Sequence, residues 1–178
     1  MSGKSLKSRI STLVLAGILG GIVSGFVKLG WEILLPPRTV ARGLTNPPQE
    51  LLQQMGIPAH ITHLTFLYSG IGVQWVSLIV HFSFSIVFGI IYCVLAERFP
   101  KITIGQGTVF GLVVWVAFHL IIMPAMGTTP PTWKLPFAED FSEALGHALW
   151  MWVIDIFRRE AKSGKRVAEI NAEASVAK

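Results

Sequence analysis

Residues Ile10–Leu35 read ISTLVLAGILGGIVSGFVKLGWEILL, an apolar run of membrane-spanning length with a lysine and a glutamate inside it. A hydrocarbon core of about 30 Å needs roughly 20 such residues in a helix. Gly17, Gly21 and Gly25 recur at every fourth position, and Lys28 and Glu32 follow one helical turn apart. At ~100° per residue all five fall within roughly 80° of one another. A charge at the bilayer centre costs about 2.5–3.5 kcal/mol even on the lenient insertion scale, so this face meets protein rather than lipid. Two roles remain open for the pair: a lock that sets helix register, or part of a site. The glycine stripe suits close packing within a bundle or self-association.

The rest of the chain extends the same pattern. It has 178 residues, of which 52% are hydrophobic and 14% charged, and its mean hydropathy is +0.58. A soluble domain carries about 25% charged residues, so an integral membrane protein is expected. The spacing predicts an all-α fold, a bundle of four transmembrane helices at 10–35, 70–97, 102–123 and 137–157. The connecting segments are a basic N-terminus (1–9), a first loop (36–69), a tight turn (98–101), a second loop (124–136) and a polar tail (158–178). In the first loop, Pro36-Pro37-Arg38 stops the first helix. Asn46-Pro47-Pro48-Gln49-Glu50 then reads as the cap and first turn of a short surface helix that ends at Gly56. The tail, rich in Ala, Glu, Lys and Ser, reads as frayed helix or disorder.

Charge placement orients the spans. Lys4, Lys7 and Arg9 precede the first, Arg98 and Lys101 sit in the tight turn, and Arg158, Arg159, Lys162, Lys165 and Arg166 follow the fourth. The positive-inside rule then places both termini in the cytoplasm, N-in and C-in, with loops 36–69 and 124–136 periplasmic. The net charge of +5 is spent at these ends. It favours the lipid bilayer and anionic headgroups at the cytoplasmic face as partners, with no nucleic acid. The apolar run continues past Ser24-Gly25, beyond the about 7–15 residues of a signal-peptide core, so the first span is expected to be retained. The single cysteine, Cys93, reads as a small buried hydrophobe.

Counting along the helices, Lys28, Glu32, His119, Glu139, Asp140 and Glu143 fall in the outer half, and His81 and His147 near the middle. The inner half holds almost nothing ionisable except Asp155. On the second span Gly70, Gln74, Ser77, His81, Ser85 and Tyr92 share one stripe, and on the fourth Glu143 and His147 share a face at i,i+4. The expected candidate site is a periplasm-facing polar cluster of Lys28, Glu32, His81, His119, Glu143 and His147. No enzymatic motif accompanies it: there is no nucleophile elbow, and the Gly-rich first helix lacks a phosphate-loop ending. No cofactor is expected. Should a metal or haem bind, His81, His119, Glu143 and His147 are the candidate ligands.

Several segments together resemble a known family. They include Phe26-Val27-Lys28 with Glu32, Leu35-Pro36-Pro37-Arg38, Ser85-Ile86-Val87-Phe88, Tyr92-Cys93-Val94 and Ala96-Glu97. Phe99-Pro100-Lys101-Ile102, Gln106-Gly107, Pro124 with Met126-Gly127, Thr129-Pro130-Pro131, Ser142-Glu143, Gly146-His147 and Arg158-Arg159 continue the pattern. The chain is similar to the YagU family of bacterial inner-membrane proteins over nearly its whole length, departing most in a shorter first loop. The resemblance implies a multi-pass protein of the bacterial inner membrane, associated with acid tolerance and without an assigned molecular activity. The residues themselves suggest three routes: a pH-responsive channel or transporter, a metal or haem protein, and a scaffold. Histidine titrates near pH ~6.5, which makes the first route chemically direct. Four spans are few for a transporter acting alone, so conduction would call for a homo-oligomer.

Overall fold

The computed structural model describes residues 3–35 and 43–176, with side chains described from 9 to 164 within those ranges, Ile71 excepted. Pro36-Pro37-Arg38 and Arg42 lie outside the described residues. Helix α1, Gly3–Leu34, runs antiparallel to α4, Trp75–Arg98, along the glycine stripe. A Cβ on Gly17 would lie 2.6 Å from the Ile90 Cα, one on Gly21 2.6 Å from the Ile86 Cα, and one on Gly25 2.7 Å from the Phe82 ring. At Gly17 and Gly21 backbone therefore meets backbone, a contact only hydrogen side chains permit.

Between these helices the chain folds over one end of the bundle. Helix α2, Pro47–Gln54, starts with a reciprocal cap: Gln49 N–H donates to the Asn46 side chain, and Asn46 N–H donates to the Gln49 side chain. A single turn, α3 at Ala59–Thr62, follows. Strands β1, Thr65–Tyr68, and β2, Ile71–Gln74, then pair antiparallel with Phe66 opposite Val73. Ser69 (φ 50°) and Gly70 (φ 78°) supply the two left-handed residues of the hairpin turn. The second long helix thus begins at Trp75, not at Gly70 as the hydropathy suggests, and Gly70 and Gln74 belong to the hairpin. Aromatic and β-branched residues bounding a Ser-Gly turn are as apolar as a helix end, and the turn decides between them.

A second correction concerns the turn after α4. Instead of closing within 98–101, it extends as a tight helical entry, Pro100–Gly107, broken by Gly105 (φ 63°), Gln106 (φ 57°) and Gly107 (φ 86°). Regular helix starts only at α5, Thr108–Trp115. It widens into a π-helical stretch at Val116–Ile122 and ends in α6, Met123–Ala125. Pro124 lacks an N–H and crowds the preceding turn, which accounts for a loosened ladder just before it.

A short turn at Thr132–Lys134 leads to α7, one helix from Phe137 to Val176. The polar tail expected after residue 157 is therefore a continuation of the fourth helix. Ala, Glu, Lys and Arg favour helix there. Ion pairs help: Lys162 Nζ lies 2.9 Å from Glu97 Oε2, and Arg9 Nη2 lies 2.6 Å from Glu97 Oε1. That triad gathers the start of α1, the end of α4 and α7 at one end of the bundle.

Three helical stretches are long and apolar enough to cross a membrane: Arg9–Leu34, Trp75–Arg98 and Pro100–Ala125. Helix α7 is more polar and more enclosed. Its Trp150, Met151, Ile154 and Asp155 are all at most 2% exposed. Trp150, Met151 and Ile154 pack with Leu13, Ala16, Tyr92, Cys93 and Val114, against Phe84, Phe88, Phe110 and Phe118. The molecule is a multi-spanning helical membrane protein whose most polar helix is shielded by apolar ones.

The glycine seam makes a sharp prediction. Gly21→Ala should destabilise the detergent-solubilised protein by about 1–3 kcal/mol through overpacking against Ile86. Gly30→Ala, where no atom lies within 4 Å, should be neutral or stabilising by up to about 1 kcal/mol. Chemical or SDS unfolding of both variants checks this, and equal behaviour would refute the seam.

Candidate functional site

Lys28 and Glu32 stand one turn apart on α1, with Lys28 Nζ 2.5 Å from Glu32 Oε1. The same ammonium lies 3.1 Å from Glu143 Oε2 on α7. Lys28 and Glu143 are both buried. Helix α7 also presents His147, whose Nδ1–H donates to the Glu143 carbonyl oxygen at 2.8 Å. A carbonyl can only accept, so this bond fixes the proton on Nδ1 and leaves Nε2 as the remaining acceptor of the neutral ring. His119, from the π-helical stretch, places Nε2 3.9 Å from Glu143 Oε2, and its ring centroid lies 4.9 Å from that of His147.

Five of the six side chains expected in the cluster thus contact one another across α1, the π-helical stretch and α7. The sixth, His81, donates from Nε2 to the Gly25 carbonyl oxygen at 3.0 Å, bridging α4 to α1. All six line one cleft of about 270 Å³, together with apolar side chains that include Leu29, Leu51, Phe84, Phe118, Met123 and Trp150. Helix α2 is held over this end by Asn46 Nδ2, which donates to Gln74 Oε1 (2.5 Å) and Ser77 Oγ (2.7 Å), and by Thr128 Oγ1–H donating to Gln54 Oε1 (3.0 Å).

The donor set of His119, Glu143 and His147 offers one ligand atom each, all within 4.8 Å of one another. Two imidazoles and a carboxylate suit a divalent transition metal. The Lys28 ammonium on Glu143 competes with that use, because it already supplies the cation this carboxylate faces.

Sequence reasoning passed over three features. Trp31 Nε1–H donates to the Ser142 carbonyl oxygen at 3.0 Å, and Ser142 Oγ–H donates to the Leu35 carbonyl oxygen at 3.0 Å, tying α1 to the first turns of α7. In the cleft wall, Trp150 Nε1–H donates to Ser85 Oγ (2.7 Å), and Ser85 Oγ–H donates to the Gly21 carbonyl oxygen (2.6 Å). Toward the other end, Asp155 Oδ1 accepts from Tyr92 Oη (2.8 Å) and Arg158 Nε (2.6 Å), and Arg159 Nε lies 3.1 Å from Oδ2. Asp155 is therefore not an isolated acid: buried Arg158 joins it. The Asp155–Arg158–Arg159 spacing at i,i+3 and i,i+4 signals the pairing, but the tyrosine partner is set only by packing.

Because Lys28 balances buried carboxylate, Lys28→Met should destabilise the fold by about 3–5 kcal/mol, the usual cost of stranding one member of a buried pair. Lys28→Met combined with Glu143→Gln should recover most of that loss. Thermal unfolding in detergent measures both, and a harmless single variant would contradict the buried pairing.

A family model described as "Protein of unknown function (DUF1440)" matches residues 22–156, which include the whole polar cluster. Inner membrane protein YagU of Escherichia coli (strain K12) is 34% identical over 179 residues, covering 88% of this chain and 87% of that protein. No solved structure matches. With most of its length in that alignment and three helices apolar enough to cross a bilayer, the chain belongs to the YagU family and is a multi-pass protein of the bacterial inner membrane.

Proposed function

We propose that this protein is a non-enzymatic, pH-responsive component of the inner membrane that contributes to acid tolerance through its Lys28–Glu32–Glu143–His119–His147 cluster. In this reading the chain crosses the membrane four times with both ends in the cytoplasm. The basic residues at the Arg9–Glu97–Lys162 end face the anionic leaflet. Lys28 lies nineteen positions after Arg9, about 28 Å of helical rise. The cluster then lies near the periplasmic edge, where external acid reaches it first.

The observation that carries the reading is the gathering of three histidines and a lysine shared by two carboxylates around one cleft. At neutral pH, with imidazoles uncharged, Lys28 faces two carboxylates. Protonation of His119 and His147 turns a cluster of two carboxylates and one ammonium from net negative to net positive, in a low dielectric where unbalanced charge is costly. The outer end would loosen, and in a homo-oligomer that opening gates passage of protons or a small solute. The opposite end, packed around Tyr92, Asp155 and Arg158, stays closed.

The metal reading is the second, favoured by the 4.8 Å grouping of His119, Glu143 and His147. It requires Lys28 to surrender Glu143 and remain on Glu32. Elemental analysis of purified protein separates the two readings: a stoichiometric transition metal lost in His147→Ala supports the second, and its absence the first.

Reconstituted vesicles provide the direct test. Proton flux should rise as external pH is lowered and the cluster takes up protons. Glu32→Gln and His147→Ala should each change that flux on the order of tenfold, as expected for loss of a group that carries the response. Flux and acid survival identical to the parent in both variants would end the proposal. Orientation is checked separately: in intact spheroplasts a membrane-impermeant maleimide should label Thr129→Cys and spare Ser163→Cys.

A further inference from the structure

The cleft contains more than titratable groups. Phe84, Phe118 and Trp150 form a continuous aromatic wall, with Phe84 and Phe118 edge to face at 4.9 Å and Phe84 and Trp150 at 5.9 Å between ring centres. The same cleft is lined by Lys28, Glu32 and Glu143. Among the described residues, one ammonium is thus shared by two carboxylates at 2.5 and 3.1 Å. Carboxylate oxygens and aromatic faces both attract organic cations, the first by charge and the second through the ring quadrupole.

From this we infer that the cleft is a binding site for a small amphipathic amine: a protonated nitrogen seated toward Glu32 and Glu143, and an apolar or aromatic body against Phe84, Phe118 and Trp150. A volume of about 270 Å³ sits just below the usual range for drug-sized ligands, which selects a molecule of one ring and a short head group. The ligand nitrogen displaces or joins Lys28 at Glu143, while Lys28 retains Glu32. An anion of the same shape meets two carboxylates and is rejected. The inference shares its cleft with the function proposed above but needs only a charged, walled pocket, so binding and proton flux can succeed or fail independently.

Three probes of matched shape test it: phenethylammonium, 2-phenylethanol and phenylacetate. They are titrated calorimetrically at neutral pH into the full chain in detergent, with protein-free micelles as the reference. Saturable one-to-one binding of phenethylammonium is expected, on the order of tenfold tighter than 2-phenylethanol, with no saturable binding of phenylacetate. Glu143→Gln and Glu32→Gln should each reduce the amine to the alcohol's affinity while leaving the alcohol unchanged, which also reports an intact pocket. If Glu143→Gln does not fold, the partly exposed Glu32 decides. Phe118→Ala should weaken amine and alcohol alike. Phenylacetate binding as tightly as the amine, no saturable binding of any probe, or an amine preference that survives the carboxylate variants would overturn the inference.

Discussion

Glu32 and Glu143 hold one ammonium, Lys28, between the C-terminal end of α1 and the N-terminal end of α7, and the bundle is arranged around the need to keep those charges out of lipid. Stranding any of them in hydrocarbon is costly, so the helices that bear them must turn those faces inward. Helix α7 carries the largest share of charge within its first six turns, and it is accordingly the most enclosed of the four long helices. The apolar α1 and α4 and the α5–α6 rod supply the surface that hydrocarbon sees. For charged faces to meet, the backbones must approach closely, and Gly17, Gly21 and Gly25 provide that approach against α4. Stripe and ion pair are two parts of one requirement.

The two ends of the bundle differ in kind. Around Asp155 the polar atoms are drawn into direct contacts with Tyr92, Arg158 and Arg159, and Met151 and Ile154 pack alongside. At the other end His81, His119 and His147 border space rather than filling it. A packed polar lock resists rearrangement, because each partner removed leaves a buried charge. A cleft bordered by titratable groups can exchange protons or admit a ligand without first breaking the core. The cleft end is thus the one that can respond without unpacking, and the Asp155 end is the rigid one.

His119 reaches the cluster through an irregularity. It stands in the π-helical stretch ahead of Pro124, and such stretches shift side chains out of regular α-helical register. Its ring meets His147 and the Glu143 carboxylate. The capped helix α2 and the Thr128–Gln54 bond close over the same end, so the segment that interrupts the first two long helices becomes part of the cleft wall.

Much of this was legible without coordinates. Hydropathy locates the apolar helices, though not their ends, and the four-residue glycine period with Lys28 and Glu32 on one face demands a protein neighbour, since a helix is periodic and lipid rejects charge. Glu143 and His147 at i,i+4 must likewise share a face. The sequence could not distinguish the hairpin at 65–74 from the start of α4, because alternation and helical periodicity coincide in a short apolar run and the left-handed Ser69-Gly70 turn settles it. Nor could it announce the left-handed break at Gly105–Gly107 or pair Tyr92 with Asp155 across helices. Which glutamate takes Lys28, and which histidines meet, depends on the rotation and depth of each helix against its neighbours. Those are set by the summed packing of many weak contacts, and no local pattern of residues encodes them.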